Sequence, residues 1–546
     1  MLSYSDIPGF SKIFSELCSD SDIASQVFSS NKKLEDINWR NAIINKQQYA
    51  DYTVEIIRKT MHHVELTELQ QHNLLLLEQK KAGIIITGQQ VGFLGGPLYS
   101  ILKACSAISA ATQYSKDACK IIPMFWIEDN DHDALEAGSI SILQADHNIQ
   151  DVSISSHHIL SNNHQAVADL HIDASVDEIF DQISQTLPDS LYKDDLMQDL
   201  RSIYTCGIDW TSAFVSFMHN RLGHYGILFF SASEARKTGI FADIISHECK
   251  HPGHLKTIVE HQNAVLKEYG IDPQANASEI NVFFHKDNNR MKIHMPNQSK
   301  NEVDIGDVCL TIDELHNYLF VHKDSCSPSV LLRPIVQDAI LPVIATIVGP
   351  GEAGYMAQLD PVYKEFGIER SAILPRHSVY CITPSLERFF EKNSLNSSFF
   401  MKSWNDIEHA LMTRFFTDDQ ESLLFDSIHS SIAEHIERLN QYVEGIDKNL
   451  IGSVAAAEHA IEKQIDIMRK KVVSSKKKQN ELLFQKGKEA MNWMYPKGKH
   501  QERVISSISF ENKIGSKAFI SAIMDIASQK PYQQYKVALK LNDVNV

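Results

Sequence analysis

Residues 83–99 read GIIITGQQVGFLGGPLY, and this stretch decides the fold. A short β-branched run bounded by glycine, Gly83 to Ile86, reads as a buried strand. The glycine-rich turn Thr87 to Gly96 follows it. The segment from Pro97 to Ala111 lacks glycine and is rich in Ala, Leu, Ile and Ser, which predicts a helix with proline near its first turn. A second apolar strand is expected over Ile121 to Ile127. Strand, turn, helix and strand make one βαβ unit, so the fold class is α/β with a parallel sheet.

The same logic extends outward. Residues 1–80 read mainly as helix. A helix is expected near Asp209 to Leu222 and a strand at Gly226 to Phe230. A hairpin is expected over Val282 to Met295, turning at Asp-Asn-Asn. Thr311 and Glu314 match a capping box. Ile344 to Val348 forms another apolar strand, ended by Gly349-Pro350-Gly351. From Glu387 to Tyr495 proline disappears, and Ile432, Ile436, Leu439, Val443, Ile446 and Leu450 step by fours and threes. That is a heptad seam. A second run, Val454, Ile461, Ile465, Met468 and Val472, predicts a helical hairpin or coiled coil joined near Gly452. The expected domains are a core over 1–385 with insertions at about 140–210 and 240–325, a helical coiled coil over 386–495, and a segment over 496–546 packing back on the core.

Composition excludes several classes. Across 546 residues, 52 Lys+Arg stand against 69 Asp+Glu, giving a net charge of −17. A general nucleic-acid binder needs clustered cations and is not expected. The eight cysteines are scattered without a CxxC pair, which fits reduced thiols in a cytoplasmic protein. Cys105 and Cys119 read as buried core thiols. The N-terminus lacks the pattern of a secretory signal, and no apolar run approaches the roughly 20 residues of a membrane span.

Three constellations can carry chemistry. The first is the turn itself. Gly88, Gln89, Gln90, Gly95, Gly96 and Tyr99, with Lys103 one turn on, offer close backbone approach and amide groups to a ligand. The spacing is neither a dinucleotide fingerprint nor a P-loop. The second follows the second strand: Trp126, then Glu128, Asp129, Asn130, Asp131, His132 and Asp133. Four carboxylates and one imidazole in six residues can orient an ammonium group or supply a base. With a single imidazole, no dedicated metal site is expected. The third contains Arg333 and Gln337, one helical turn apart, then Gly349, Gly351, Glu352, Tyr355 and Gln358. Arg333 can clamp a carboxylate or phosphate bidentately. His247-Glu248-Cys249-Lys250-His251 matches the zincin pattern HExxH. Pro252 disfavours helical geometry at His251, so no zinc protease is expected.

The segments GQQVGFLGGPLY, IPMFWIEDNDHD, SPSVLLRPIVQD, VGPGEAGYMAQL, Leu374-Pro375-Arg376, Tyr495-Pro496-Lys497-Gly498 and Gln501-Glu502-Arg503 together resemble the bacillithiol biosynthesis cysteine-adding enzyme family, BshC. The matches run in order over most of the chain. Asn130 stands where the family usually has Glu. The resemblance implies a Rossmann-like core with inserted connecting segments, related to class I synthetase-type nucleotidyl transferases. It further implies a coiled coil that mediates homodimerisation, and a ligase joining the cysteine carboxyl group to the amine of glucosaminyl-malate.

A carboxylate and an amine do not condense readily in water, so the carboxyl group needs activation, most simply by ATP, with room for Mg2+. On this reading Asp131, His132 and Asp133 take the amine proton or hold the cysteine ammonium. Arg333 or Arg376 meet the malate carboxylates. Neither HIGH nor KMSKS occurs, so adenylation does not carry over from the synthetases. Two alternatives stand beside this reading: a nucleotidyl transferase acting on another small acid, and a non-catalytic dimeric scaffold.

Overall fold

The computed structural model describes residues 2–4, 7–28, 43–116, 120–154, 165–287, 289–297, 302–416 and 419–540. Cys119 and the hairpin residue Asn288 lie outside them. The chain forms two compact units, one of residues 1–387 with 499–546 and the other of residues 388–498.

The first unit is built on a five-stranded sheet. Its first strands are β1 (Ala82–Gln90), β2 (Lys120–Glu128) and β3 (Leu228–Ser231). The hairpin strands β4 (Val282–Lys286) and β5 (Asn289–Lys292) belong to a separate sheet with β6 (Cys326–Pro328). The parallel sheet is completed by β7 (Val343–Val348) and β8 (Ala372–Pro375), in the order β8-β7-β1-β2-β3. All four pairings are parallel. The chain winds one way from β1 to β3 and then returns to the other side of β1, so strand order reverses between β1 and β7. Ligands in open α/β sheets bind beyond the strand C-termini at such a reversal.

Helix α1 (Tyr99–Tyr114) connects β1 to β2. Its Ala107 and Ala111 pack on Ile85, Ala345 and Ile347, and these small side chains let helix and sheet approach closely. The helix starts two residues after Pro97 rather than on it. The larger departure is in β1. Thr87 to Gln90 are strand, not turn, because each pairs in register with Phe125 to Glu128. The extension places Gln90 beside Glu128 at the sheet edge.

Helix α2 (Trp210–Leu222) is capped by Asp209, whose carboxylate accepts from the Ser212 N–H. Helix α3 (Ala242–Lys250) stops before His251, which has φ −129° and ψ 63°. The intervening Glu248 is buried and accepts from the backbone and side-chain amides of Asn281. The HExxH match is therefore not a helical histidine pair. The capping box at Thr311 forms as expected. Helix α4 (Arg333–Ile340) carries proline in its first turn, and α5 (Pro350–Ala357) follows β7. Residues 499–540 complete this unit. Leu98 donates its N–H to the Ile505 carbonyl, and Pro97 bridges Ser506.

The second unit contains α6 (Asp419–Glu444) and α7 (Leu450–Gln479), joined as a hairpin. The turn lies at 445–449, where Asp447 accepts from the Asn449 N–H. Gly452 sits inside α7, which corrects the expected junction. Ile436, Val443 and Val454 form a small core with Ile432. Leu439, Tyr442, Ile446 and Met468 remain exposed, at 43%, 70%, 64% and 55%. No helix among the described residues is long and apolar enough to cross a membrane.

Candidate active site

A cavity of about 520 Å³ opens at the C-terminal edge of the sheet, beside the β1/β7 reversal. Gly88, Gln89 and Gln90 line it from the end of β1, and Trp126 and Glu128 from the end of β2. Asp131 enters from the loop after β2. Glu352 and Tyr355 come from α5, and Arg333 from α4. The remaining wall comes from the insertion, with Asn281, Phe283, Arg290 and Lys292 on or beside the hairpin.

Gly88 has a local reason to be glycine. A Cβ there would sit 3.2 Å from the Trp126 carbonyl oxygen and 3.6 Å from Arg333 Nη1. Arg333 donates to the Tyr355 hydroxyl at 3.1 Å and to Gln337 Oε1 at 3.2 Å. Behind the strand ends, Lys103 Nζ reaches the Gly88 carbonyl, Gln89 Oε1 and Glu352 Oε2, each at 2.8 Å. Burial lowers the lysine pKa, and Glu352 opposes that shift. Gln89 also donates to the Tyr99 hydroxyl at 3.1 Å, and burial pushes that phenol up to about 12. Lys103, Tyr99 and Gln337 thus support the cavity wall without lining it.

Asp131 is fully engaged. It accepts from Gln90 Nε2, from Arg290 Nη1 at 3.0 Å and from the His132 N–H at 2.8 Å. Arg290 also stacks on Phe283, 3.8 Å from the ring centroid. Glu128 differs. Among the described residues its carboxylate receives one hydrogen bond, from Trp126 Nε1 at 3.1 Å. Burial raises its pKa, while Arg333 and Arg290 pull the other way.

Several expected site residues lie elsewhere. Arg376 is 1% exposed and pairs with Glu502 at 2.6 Å, so its charge is already neutralised inside the core. Asp133 caps the short helix Ala134–Ala137 through the Glu136 N–H. His132 is partly exposed beside Asp131 and does not line the cavity. Gly95 and Gly96 have positive φ, and a Cβ on Gly95 would lie 2.4 Å from Phe217. These two glycines serve packing and turn geometry rather than ligand approach. Gly349 caps α5, and its N–H donates to Glu352. Gly351 does not line the cavity. Gln358 is buried, holding the backbone of Gln274 and Ala275. Asn130 is buried and accepts from Arg236 Nε at 2.9 Å, facing away from the cavity. Asp129 pins the same loop to Ser231 and Ser233, and burial pushes its carboxyl up to about 6.

Sequence reasoning placed Glu128 in the acidic run after the second strand but gave the proton-accepting role to Asp131, His132 and Asp133, although Glu128 shares the Trp126 face by the two-residue strand period. Arg290, Lys292 and Asn281 carry no comparable local signal. They arrive through the fold of the insertion. No group of three or more His, Cys, Asp or Glu among the described residues is arranged to hold a metal ion.

Comparison with known proteins agrees with this architecture. Residues 2–377 match the family model "Bacillithiol biosynthesis BshC, N-terminal Rossmann-like domain", and residues 379–538 match "Bacillithiol biosynthesis BshC, C-terminal coiled-coil domain". A relative from Chlorobaculum tepidum, named "Putative cysteine ligase BshC", is 26% identical over 527 residues, covering 93% of each chain. Proteins of the same name from Salinibacter ruber (26% over 509 residues, 92% of each chain) and Staphylococcus carnosus (24% over 479 residues, 86% of this chain and 87% of that one) are also similar. With both domain models matched in order along nearly the whole chain, the protein belongs to the bacillithiol biosynthesis BshC family.

Proposed function

We propose that this protein is a cytoplasmic cysteine ligase, joining the carboxyl group of cysteine to the amine of glucosaminyl-malate to give bacillithiol. The observation that carries the reading is the mixed charge of one cavity. Arg290, Lys292 and Arg333 stand in the same wall system as Glu128, Asp131 and Glu352. A substrate pair with malate carboxylates and amine groups needs both signs in one place. The local cations also counter the repulsion of an anion by a chain of net charge −17. The cavity falls within the roughly 300–1,000 Å³ usual for small-molecule sites.

In this reading Arg333 and the hairpin cations receive anionic groups, phosphate or carboxylate, and Tyr355 fixes the Arg333 fork. Asp131 acts as the anchor of Arg290. ATP is the proposed co-substrate that activates the cysteine carboxyl group. Magnesium is proposed to enter with the nucleotide phosphates, its usual mode of binding. The exposed apolar positions on α6 and α7 are proposed to pair with a second copy, giving a homodimer through the coiled coil.

The test is a mass-spectrometric assay with purified protein, cysteine, glucosaminyl-malate and ATP, each omitted in turn. Product only in the complete mixture supports the ligase, and AMP or ADP beside it distinguishes adenylate from acyl phosphate. No product, with normal thiol levels in a deletion strain, overturns the reading. A nucleotidyl transferase of another small acid would then explain the same cavity.

A further inference from the structure

We propose that Glu128 is the catalytic residue that accepts the proton of the attacking amine. The inference rests on the ligase reading above and assigns a role within that site.

Among the described residues three carboxylates line the cavity, and two are already committed. Asp131 takes Gln90, Arg290 and the His132 N–H. Glu352 takes Lys103, the Gly349 N–H and, more weakly, the Tyr355 hydroxyl. Among the described residues, Glu128 receives a single hydrogen bond, from Trp126. A carboxylate has about four acceptor directions, so Glu128 keeps most of its capacity for a ligand. It also ends β2 at the sheet's C-terminal edge, next to Gln90 in register.

The charged groups acting on Glu128 include Arg333 on α4, Arg290 on β5 and Asp131 in the following loop, and the neighbouring carboxylate of Asp129 repels it. Burial acts against its ionised form more strongly than the two arginines favour it. Such a carboxylate is a better proton acceptor near neutrality than an exposed one. The ammonium of the amino sugar gives one proton to Glu128 and becomes a neutral amine. The nitrogen lone pair forms the C–N bond to the activated acyl carbon. The C–O bond to the phosphate leaving group breaks, and its electron pair departs with that oxygen. The second nitrogen proton is released to solvent.

The test separates activation from transfer. Hydroxylamine is already neutral at neutral pH and attacks activated acyl groups without a base. Wild type and Glu128→Gln are assayed with cysteine and ATP, using either glucosaminyl-malate or hydroxylamine as acceptor. The proposal expects Glu128→Gln to form cysteine hydroxamate within about threefold of wild type. Amide formation with the amino sugar should fall by about 100-fold or more. Glu128→Asp should show the same split with a smaller loss, and thermal melting of both variants establishes that they are folded. Wild-type amide formation should fall on an acidic limb that is missing in Glu128→Gln. Equal amide rates in the folded Glu128→Gln variant and wild type overturn the proposal. Equal losses of hydroxamate and amide in both folded variants also overturn it, since they place Glu128 in activation or cysteine binding. Failure of the ligase reading looks different, because wild type would then give neither product.

Discussion

Arg290 and Asp131 meet at 3.0 Å although 159 residues separate them in the chain. The pair ties the inserted hairpin to the loop that follows β2. Its arginine is 9% exposed and its carboxylate 23%, so water screens it incompletely. Closing the cavity and anchoring the hairpin are thus one interaction.

Arg290→Met should therefore raise the KM for the anionic acceptor by about 10- to 100-fold, the scale of one charge-assisted hydrogen bond. Asp131→Asn should do the same by releasing the arginine. The double variant should cost little more than either single one, because both remove a shared interaction. Steady-state kinetics of the four proteins measure this coupling, and additive losses would refute it.

Lys103 is buried beneath the strand ends and holds Glu352 at 2.8 Å. Lys103→Met leaves that carboxylate without its cation and frees Gly88 and Gln89. Stability should drop by roughly 3 kcal/mol, in the range for breaking a buried pair. Activity should fall as well, even at temperatures where the variant is folded. Urea unfolding and product formation, measured side by side, check both parts.

Glu502 gives the molecule a defined acid sensitivity. Burial disfavours its charge, but Arg376 at 2.6 Å and the Ser378 hydroxyl outweigh burial and hold its carboxyl below the usual range. A lowered carboxyl pKa contributes stability that is complete above the unfolded value, about 4.3, and is lost as pH falls through the folded value. Wild type should destabilise steeply below about pH 4. Glu502→Gln should be less stable at pH 7 by about 3–5 kcal/mol, with a flatter acid limb. Thermal melts across pH 3–8 would show it, and parallel curves for the two proteins would count against this account.

The reach of the sequence was greatest where structure is local. Period, glycine placement and capping chemistry read out β1, α1, β2 and the Thr311 cap. They missed the extension of β1 through Gln90, because that depends on a partner strand 38 residues away. Arg376 was expected to meet a malate carboxylate, and only Glu502, 126 residues later, shows that its charge is spent inside. Conversely, Arg290 and Lys292 looked like ordinary hairpin residues until the insertion brought them over the sheet. Exposure and long-range pairing, not residue type, separate support from site.

The exposed seam on the helical hairpin predicts a dimer. Replacing Leu439 and Ile446 together by Glu should convert a dimer to a monomer in light scattering without unfolding the Ile436–Val443–Val454 core. Each exposed leucine or isoleucine buried between copies contributes about 1.5–3 kcal/mol, so two charges in the seam are enough to separate the copies. An unchanged mass would place dimerisation elsewhere or nowhere.

The closure of the glycine turn by residues near Ile505 and Ser506 has a consequence for synthesis in the cell. A ribosome releases the sheet strands early, but the segment that covers their connecting turn and neutralises Arg376 emerges only after both long helices. Until that segment has been made, the nascent sheet lacks the carboxylate of Glu502 that pairs with Arg376. Chains stalled or truncated in the helical region should be prime clients for chaperones and proteases, whereas excision of the helical hairpin with the tail retained should spare the core.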